Sequence, residues 1–475
     1  MESQQPDSND HEPPIRVLEF YSGIGGMHYA LSKSGINFEV VGAFDINTNA
    51  NAVYKHNFPC AKLMQKNLEG LTVRDLNKLS AHCWTMSPPC QPYTRQGKQE
   101  ASKDARAKSF LHILDLLVEM QNPPSYIFLE NVKGFDVSDT RTHLLHVLET
   151  KGFNYKEFLL SPVELGIPNS RLRYYMLAKR SQEPFPTPAE GFTVKETKNR
   201  IRDYLCEPKS DEANINGTPD SEGSVNSHIR TSNENQSNKT TTANITEHST
   251  SMKSNTSMTT DKDTGQTGIR TSPFIVPDNI LLRFSTIMDI VSGDSQGSCC
   301  FTKAYGKYIE GTGSIFSPLD KTAVDIVFKE IESLASTPQK PTIDTSRTVE
   351  SSSAASTLTR STVTTTTPTA TVTDAATTTT TTATQTTITD AVTAVPTTTG
   401  NMNCTDDTLS RKLSLLRSLR LRYFSPSEIS RLLCFPEEFK FPEEMTIRQK
   451  YQLLGNSVNV FTIAHLMSNF LFANS

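Results

Sequence analysis

The chain has 475 residues, of which 36% are hydrophobic and 21% charged, and its formal net charge at pH 7 is -4. This balance gives no global basic surface for nucleic acid, so any such contact must come from local patches. The cysteines form no CxxC pair and no run of 18 apolar residues occurs, which argues against a zinc site, a disulfide framework and a membrane span.

The first residues and the cysteine usage predict where the protein works. Residues 1–14 are polar and lack the apolar core of a secretory signal, so we expect no signal peptide. Unpaired thiols are typical of reducing compartments. We therefore expect a cytoplasmic protein, with the nucleus as a second location, that binds neither membrane nor metal.

Two segments of biased composition divide the chain. Residues 208–270 are rich in Ser, Thr, Asn and Asp, and residues 335–405 form a Thr/Ala/Val tract. Neither composition favours a packed core, so we expect both segments to be disordered. The remaining residues, about 340, are enough for one large domain or two modest ones.

The first ordered stretch predicts a strand, a glycine-rich turn and a helix. Arg16–Phe20 is apolar, Tyr21–Gly26 holds the glycines, and Met27–Ser34 has a helical pattern. Glycines let a backbone approach a ligand closely, and a helix N-terminus offers free N–H groups. The GxGG spacing differs from the GxGxxG dinucleotide motif. The turn therefore suits NAD, FAD or S-adenosylmethionine, or it is a plain turn.

A second predicted strand, Phe38–Phe44, ends on Asp45. An acidic residue at this place suits the hydroxyl pair of a ribose. The alternatives are an exposed loop residue or the N-cap of a helix that begins near Asn49. We expect Lys66–Glu69 to close the adenine side of such a site.

Cys90 lies on a loop that follows the apolar run Cys83–Met86. The paired prolines Pro88 and Pro89 cannot continue a central strand, so the chain leaves the sheet here. Open α/β sheets build ligand sites at the carboxyl ends of their strands. Cys90 is therefore a candidate nucleophile, and the alternative is a small buried side chain.

Further charged side chains follow the next predicted strands. Glu130 comes directly after Tyr126–Leu129, and an unpaired Glu is rare in such a place. Arg171 and Arg173 alternate at the start of another strand, either as a solvated edge or as an anion clamp. The alternation of strands and helices up to about residue 180 predicts a doubly wound α/β sheet.

The later part of the chain has three candidate binding segments. The Gly, aromatic and Lys mixture of residues 298–314 suits contact with a polyanion or a base. Residues 411–422 form a basic amphipathic pattern, which fits a solvated helix face or a phosphate contact. Gly455 and Asn456 interrupt a helical pattern, which indicates a break where backbone meets a ligand.

Five motifs follow one another along the chain: Tyr21–Gly26, Pro88-Pro89-Cys90-Gln91, Glu130-Asn131-Val132, Arg171-x-Arg173 and Gly455-Asn456-Ser457-Val458. In this order they resemble the motifs of the cytosine-5 methyltransferases. Within that family, Cys300-Phe301-Thr302 and the loop Thr94–Gly97 resemble the branch that methylates tRNA.

The resemblance implies an α/β fold, a Rossmann-like S-adenosylmethionine-dependent methyltransferase sheet with a smaller target-recognition domain. The implied organisation has six parts: a disordered N-terminus 1–14, a catalytic domain 15–206, a disordered insert 207–274, a target-recognition region 275–334, a Thr-rich disordered insert 335–407, and a segment 408–475 that completes the recognition region and the catalytic domain.

The resemblance also assigns roles. Cys90 would attack C6 of cytosine, Glu130 would hold N3 and N4, and Arg173 with Arg171 would hold O2 or orient the carboxylate. The implied contacts of S-adenosylmethionine are Tyr21, Ile24, Gly25, Gly26, Asp45, Asn67, Leu68, Glu69 and Ser457. The implied substrate contacts are Cys300, Phe301 and Thr302.

The tRNA branch implies methylation of an anticodon-loop cytosine, position 38 of aspartate tRNA, since a loop base is easily taken out of its stack. DNA is the alternative substrate, and a catalytically silent RNA-binding protein is the alternative of another class. Asn169 stands where many relatives have Gln, and both inserts are long for the family. These departures bear on substrate range more than on chemistry.

Overall fold

A computed structural model describes residues 13–93, 104–187, 199–206, 273–336 and 403–473. The loop Thr94–Gly97 and nearly all of the predicted N-terminal segment and of the two inserts lie outside these ranges. Two units are present, one formed by Met1–Val327 with Leu413–Ser475 and the other by Phe328–Lys412. In the second unit, Arg411 pairs with Glu330 at 3.2 Å.

The strands are β1 Ile15–Phe20, β2 Phe38–Phe44, β3 Leu63–Met64, β4 Cys83–Met86, β5 Tyr126–Val132, β6 Asn154–Leu160, β7 Arg173–Lys179, β8 Ile290–Val291, β9 Ile315–Phe316 and β10 Arg422–Tyr423. The helices are α1 Gly26–Ser34, α2 Thr48–Asn57, α3 Val73–Leu79, α4 Lys108–Glu119, α5 Asp139–Thr150, α6 Asp278–Phe284, α7 Lys321–Ser336, α8 Asn403–Ser418, α9 Pro426–Leu432, α10 Ile447–Asn456 and α11 Val460–Leu466.

The first seven strands form one sheet in the order β3-β2-β1-β4-β5-β7-β6. Strands β1 to β5 pair in parallel, whereas β7 is antiparallel to both β5 and β6. The predicted α/β class with a Rossmann-like sheet is confirmed. The carboxyl ends of four adjacent parallel strands, β2, β1, β4 and β5, therefore meet at one edge, where such sheets bind ligands.

The sheet is covered on both faces. Alternating residues of β1 divide between two apolar clusters, with Val17 in one and Leu18 in the other, as the two-residue period of a strand requires. Helices α3, α4 and α5 supply the cluster around Leu18, while α1, α11 and the end of the chain supply the one around Val17. The Oγ of Ser468 donates to the carbonyl of Ser34 at 3.0 Å, so the last described residues lie on α1.

A second sheet has the order β10-β9-β8 and lies in the part of the chain that follows the first insert. Aromatic packing forms its core: the ring of Phe301 lies 5.0 Å from Tyr305 and 5.3 Å from Phe424. Strand β10 comes from beyond the second insert, so residues on both sides of that insert build the same sheet.

The structure corrects three local predictions. Arg171 precedes β7, which begins at Arg173, so the two arginines are not alternate residues of one strand. The helix predicted over 411–422 ends at Ser418, because Arg420 adopts a left-handed φ of 49° and the chain turns into β10. Helix α10 runs through Gly455 to Asn456, and the break falls at Ser457 instead.

The basic helix α8 also has partners of its own. Arg417 donates to both carboxylate oxygens of Asp278, at 3.1 and 2.5 Å. An arginine held in this way is less available to a phosphate, so the contact of residues 411–422 with nucleic acid remains a prediction. Within the described ranges, no helix has the length and hydropathy needed to cross a membrane.

Candidate active site

The glycine-rich turn lies between the ends of β1 and β2. Three of its residues have positive φ, namely Tyr21, Gly23 and Gly25. The N–H of Gly23 donates to Oδ2 of Asp45 at 2.9 Å, which ties the turn to the end of β2. Asp45 is not the N-cap of α2, because Asn47 fills that position. Burial raises the pKa of Asp45, although backbone N–H groups oppose that shift.

A cavity of about 660 Å³ opens at this edge of the sheet. Its wall includes the glycine turn after β1 and Asp45 after β2, together with Cys90 from the loop after β4 and Glu130 of β5. The predicted site residues on its wall are Tyr21, Ile24, Gly26, Asp45, Asn67, Leu68, Glu69, Cys90, Glu130, Arg171, Arg173 and Ser457.

The predicted cofactor contact Gly25 is not among the residues that line the cavity. A Cβ there would come within 2.4 Å of the Phe58 ring, and its φ of +88° favours glycine. At Gly26 a Cβ would lie 2.6 Å from Val458 and 3.3 Å from the Ser457 hydroxyl. Both glycines are therefore needed for close packing around the turn, and Gly26 is where the C-terminal segment touches it.

Several residues of the cavity wall were not predicted from the sequence. Ile46 is 69% exposed and lines the cavity directly after Asp45. Ser22 also lines it, and its buried hydroxyl has no hydrogen-bond partner among the described residues. Arg106 lies on the wall and pairs with Asp104. Ser22 could have been predicted from the sequence, because it lies inside the glycine motif. No sequence pattern marks Arg106 as a residue of the cavity wall.

The Cys90 loop is fixed from two sides. The Asn131 side chain donates to the carbonyl of Pro88 at 3.3 Å, and the Ser87 hydroxyl donates to the carbonyl of Tyr21 at 3.0 Å. Burial raises the pKa of the Cys90 thiol and Glu130 adds to the shift, while Arg173, Arg171 and Lys303 oppose it. The resting thiol is therefore protonated, with cations nearby that favour its thiolate.

Glu130 is buried near the end of β5, with 7% of its surface exposed. Arg173 approaches from the start of β7, and its Nε lies 3.4 Å from Oε1 of Glu130. Burial raises the pKa of the carboxyl, and Arg173 followed by Arg171 opposes the shift. The carboxyl therefore keeps its proton to a higher pH than an exposed Glu does, and in its protonated form it can donate a hydrogen bond as well as accept one.

In the part of the chain that the structure describes, Arg171 binds backbone carbonyls of distant segments, which Arg173 does not. It is 3% exposed, and its Nη atoms donate to the Phe301 and Gly455 carbonyls, each at 3.2 Å. It also donates to the carbonyl of Ser457. By contrast, the Nη1 of Arg173 donates to its neighbour's carbonyl, that of Leu172, at 2.8 Å.

The triplet Cys300–Thr302 meets both arginines through its cysteine sulfur. The Sγ of Cys300 accepts from Arg171 at 3.4 Å and lies 3.9 Å from the Nη2 of Arg173. Burial raises the pKa of Cys300, but the two arginines outweigh it and leave the pKa below its ordinary value. Phe301 packs in the aromatic core, and the N–H of Thr302 donates to Thr312 at 2.9 Å. Direct contact of this triplet with a substrate stays a prediction.

In the residues with described side chains, no three of the His, Cys, Asp and Glu groups are placed to hold a metal ion. The arrangement instead brings together a thiol, a buried carboxyl whose pKa is raised and a guanidinium, beside a cavity with a glycine turn. These groups suit addition of the thiol to an electron-poor ring whose negative charge is taken up by the carboxyl and the guanidinium.

Comparison with known proteins agrees with this chemistry. The model of the C-5 cytosine-specific DNA methylase family matches residues 15–471. The human tRNA (cytosine(38)-C(5))-methyltransferase is 37% identical over 460 residues, covering 96% of this chain and 98% of that protein. A Dictyostelium discoideum DNA (cytosine-5)-methyltransferase is 34% identical over 465 residues, covering 95% and 93%. The crystal structure of a Spodoptera frugiperda DNMT2 mutant has a TM-score of 0.61 at 29% identity, covering 96% and 99%.

Proposed function

Because the chain belongs to the C-5 cytosine-specific DNA methylase family, we propose that it methylates C5 of cytosine 38 in tRNA, with aspartate tRNA as the favoured substrate. Enzymes of this family are S-adenosylmethionine-dependent methyltransferases. The observation that carries the proposal is that Cys90, Glu130 and Arg173 line the same cavity as the glycine turn and Asp45, with Arg173 3.4 Å from Glu130.

The residues around the glycine turn and the end of β2 fit S-adenosylmethionine. The buried hydroxyl of Ser22 has no partner among the described residues and lies on the wall, where a polar group of a ligand would satisfy it. Asp45 can accept from ribose hydroxyls, and Ile46 offers an apolar surface to a base. When bound, S-adenosylmethionine supplies an electrophilic methyl group for C5 of the target.

The first step belongs to Cys90. Its thiol releases a proton to water, and the sulfur electron pair forms the bond to C6 of the cytosine. The ring electrons shift toward C5 and N3, where the Glu130 carboxyl in its protonated form donates its proton. Arg173 stabilises the ring oxygen O2 by hydrogen bonding. C5 thereby becomes nucleophilic.

The last step restores the enzyme. After C5 has gained its methyl group, its hydrogen leaves as a proton to water, and the electron pair of that C–H bond reforms the C5–C6 double bond. The Cys90 thiolate departs with the pair of the S–C6 bond, and N3 returns its proton to Glu130. The cations around Cys90 stabilise the departing thiolate.

Support for RNA over DNA comes from the relatives and from the sequence. The human, mouse and bovine relatives at 37–38% identity carry the tRNA name, whereas the Dictyostelium relative at 34% carries the DNA name. DNA methylation is accordingly the second candidate. We place the reaction in the cytoplasm, with the nucleus as a second compartment, and imaging of the tagged protein tests that part.

Methyl transfer from tritiated S-adenosylmethionine to tRNA and to duplex DNA tests the proposal, with Cys90→Ala as the matched variant. Label in tRNA that disappears in Cys90→Ala is the expected result. Label in DNA alone would overturn the choice of substrate, and label in neither, with tRNA still bound, would indicate a silent RNA-binding protein.

A further inference from the structure

We infer that Arg171 is a positioning residue that makes binding of the methyl donor and binding of RNA favour one another. The inference rests on the proposed function. It differs from a base-binding role, because the four Nη hydrogen bonds of the guanidinium join two chain segments.

The hydrogen bonds of Arg171 divide between these segments. Nη1 reaches the Cys300 sulfur at 3.4 Å and the Phe301 carbonyl at 3.2 Å. Nη2 reaches the Gly455 carbonyl at 3.2 Å and also the carbonyl of Ser457. A guanidinium has five N–H donors, so four are occupied and only that on Nε has no partner among the described residues.

The two segments also touch directly. A Cβ on Gly455 would lie 2.1 Å from the N of Lys303 and 2.2 Å from the carbonyl carbon of Thr302. Only a glycine permits this approach, so the backbone of α10 is packed against the backbone of residues 302–303. A shift of one segment must move the other, because close-packed interiors do not deform freely.

The C-terminal segment connects in turn to the cofactor side. Ser457 and Val458 lie against Gly26 at the glycine turn, and both line the cavity. On the other side, Lys303 follows the triplet held by Arg171, and its charge opposes the rise that burial causes in the pKa of Cys90. A continuous set of contacts therefore runs from the glycine turn through Ser457 and Arg171 to the Cys300 segment.

The test is the affinity for S-adenosylhomocysteine, measured by calorimetry on the full chain with and without a saturating tRNA transcript. We expect tRNA to tighten wild-type binding by roughly fivefold or more, a common size of coupling between sites. The ratio of the affinities with and without tRNA is the coupling factor. Arg171→Lys keeps the charge but cannot donate four hydrogen bonds to the two segments, so its coupling factor should fall to about one.

Arg173→Lys is the matched control. It should lower kcat through its contact with Glu130 while the coupling factor stays at the wild-type value. Absence of coupling in the wild type, or full coupling in Arg171→Lys together with a lower kcat, would overturn the inference. Should Arg171→Lys not fold, Cys300→Ala removes only the sulfur contact and should reduce the coupling, and unchanged coupling there would count against the inference. A wild type that neither binds nor methylates tRNA would instead contradict the proposed function.

Discussion

The Nε of Arg173 lies 3.4 Å from Oε1 of Glu130, so a guanidinium and a carboxyl meet beside the cysteine loop. Burial nevertheless raises the pKa of that carboxyl. The site thus holds an acid that tends to keep its proton next to a permanent cation. This combination suits a group that must donate to a ring nitrogen.

Glu130→Gln should lower kcat by about 10²- to 10⁴-fold, because an amide can donate a hydrogen bond but cannot transfer a proton. Single-turnover methyl transfer with saturating cofactor measures this change. An unaltered rate would show that Glu130 gives up no proton in the reaction.

The same substitution has a pH-dependent effect on stability. Because the folded-state pKa of Glu130 is raised, its stabilising contribution is complete below the unfolded pKa, about 4.3, and is lost as pH rises through the folded value. Glu130→Gln carries no such dependence. Its Tm relative to the wild type should therefore increase as the pH is raised from acidic to neutral, and a constant or falling difference would contradict a raised pKa.

Cys90→Ala should abolish the covalent bond to the substrate. With RNA that contains 5-fluorocytosine, the wild type should form an adduct that survives denaturing electrophoresis, since fluorine at C5 cannot leave as a proton does. Cys60→Ala is a suitable control, because Cys60 is an exposed free thiol that does not line the cavity. An adduct in Cys90→Ala would assign the nucleophile to another residue.

Ser22→Ala should weaken binding of S-adenosylhomocysteine by roughly 2- to 10-fold, the usual worth of one hydrogen bond. Thr85→Val is the matched control, since the Thr85 hydroxyl is also buried without a partner but does not line the cavity. Neither change should destabilise the ligand-free protein. Equal affinities of both variants and the wild type would show that Ser22 makes no contact with the cofactor.

Gly455→Ala should destabilise the protein by about 1–3 kcal/mol, the typical cost of overpacking, because its Cβ would overlap backbone atoms of Thr302 and Lys303. Gly297→Ala provides the comparison, since no atom lies within 4 Å of a Cβ at Gly297. Thermal denaturation of the two variants measures the difference. A Tm equal to that of Gly297→Ala would mean that the two segments can separate freely.

The sequence predicted the parts of the site that depend on local order. Strands followed by Asp45, Cys90 and Glu130 were visible in the apolar pattern, and parallel pairing brings such strand ends together. The turn from β2 into α2 was less certain, since Asp45 and Asn47 are both residues that favour an N-cap. The structure gives the cap to Asn47 and leaves Asp45 facing the cavity.

Contacts between distant segments could not be predicted. Arg171 is separated from Phe301 by 130 residues and from Ser457 by 286, and no periodicity relates them. The reversal of β7 was also missed, although it brings Arg173 opposite Val132 at the end of β5. Exposed rim residues such as Ile46 had no pattern to mark them.

The position of Gly26 against Ser457 and Val458 has a consequence for synthesis of the chain. The glycine turn leaves the ribosome well before the residues that pack on it, and α11 can cover the apolar side of α1 only after it has been made. A nascent chain that lacks residues 455–470 exposes that side and has no complete cavity. Methyl-donor binding should therefore appear only once residues 455–470 have emerged from the ribosome.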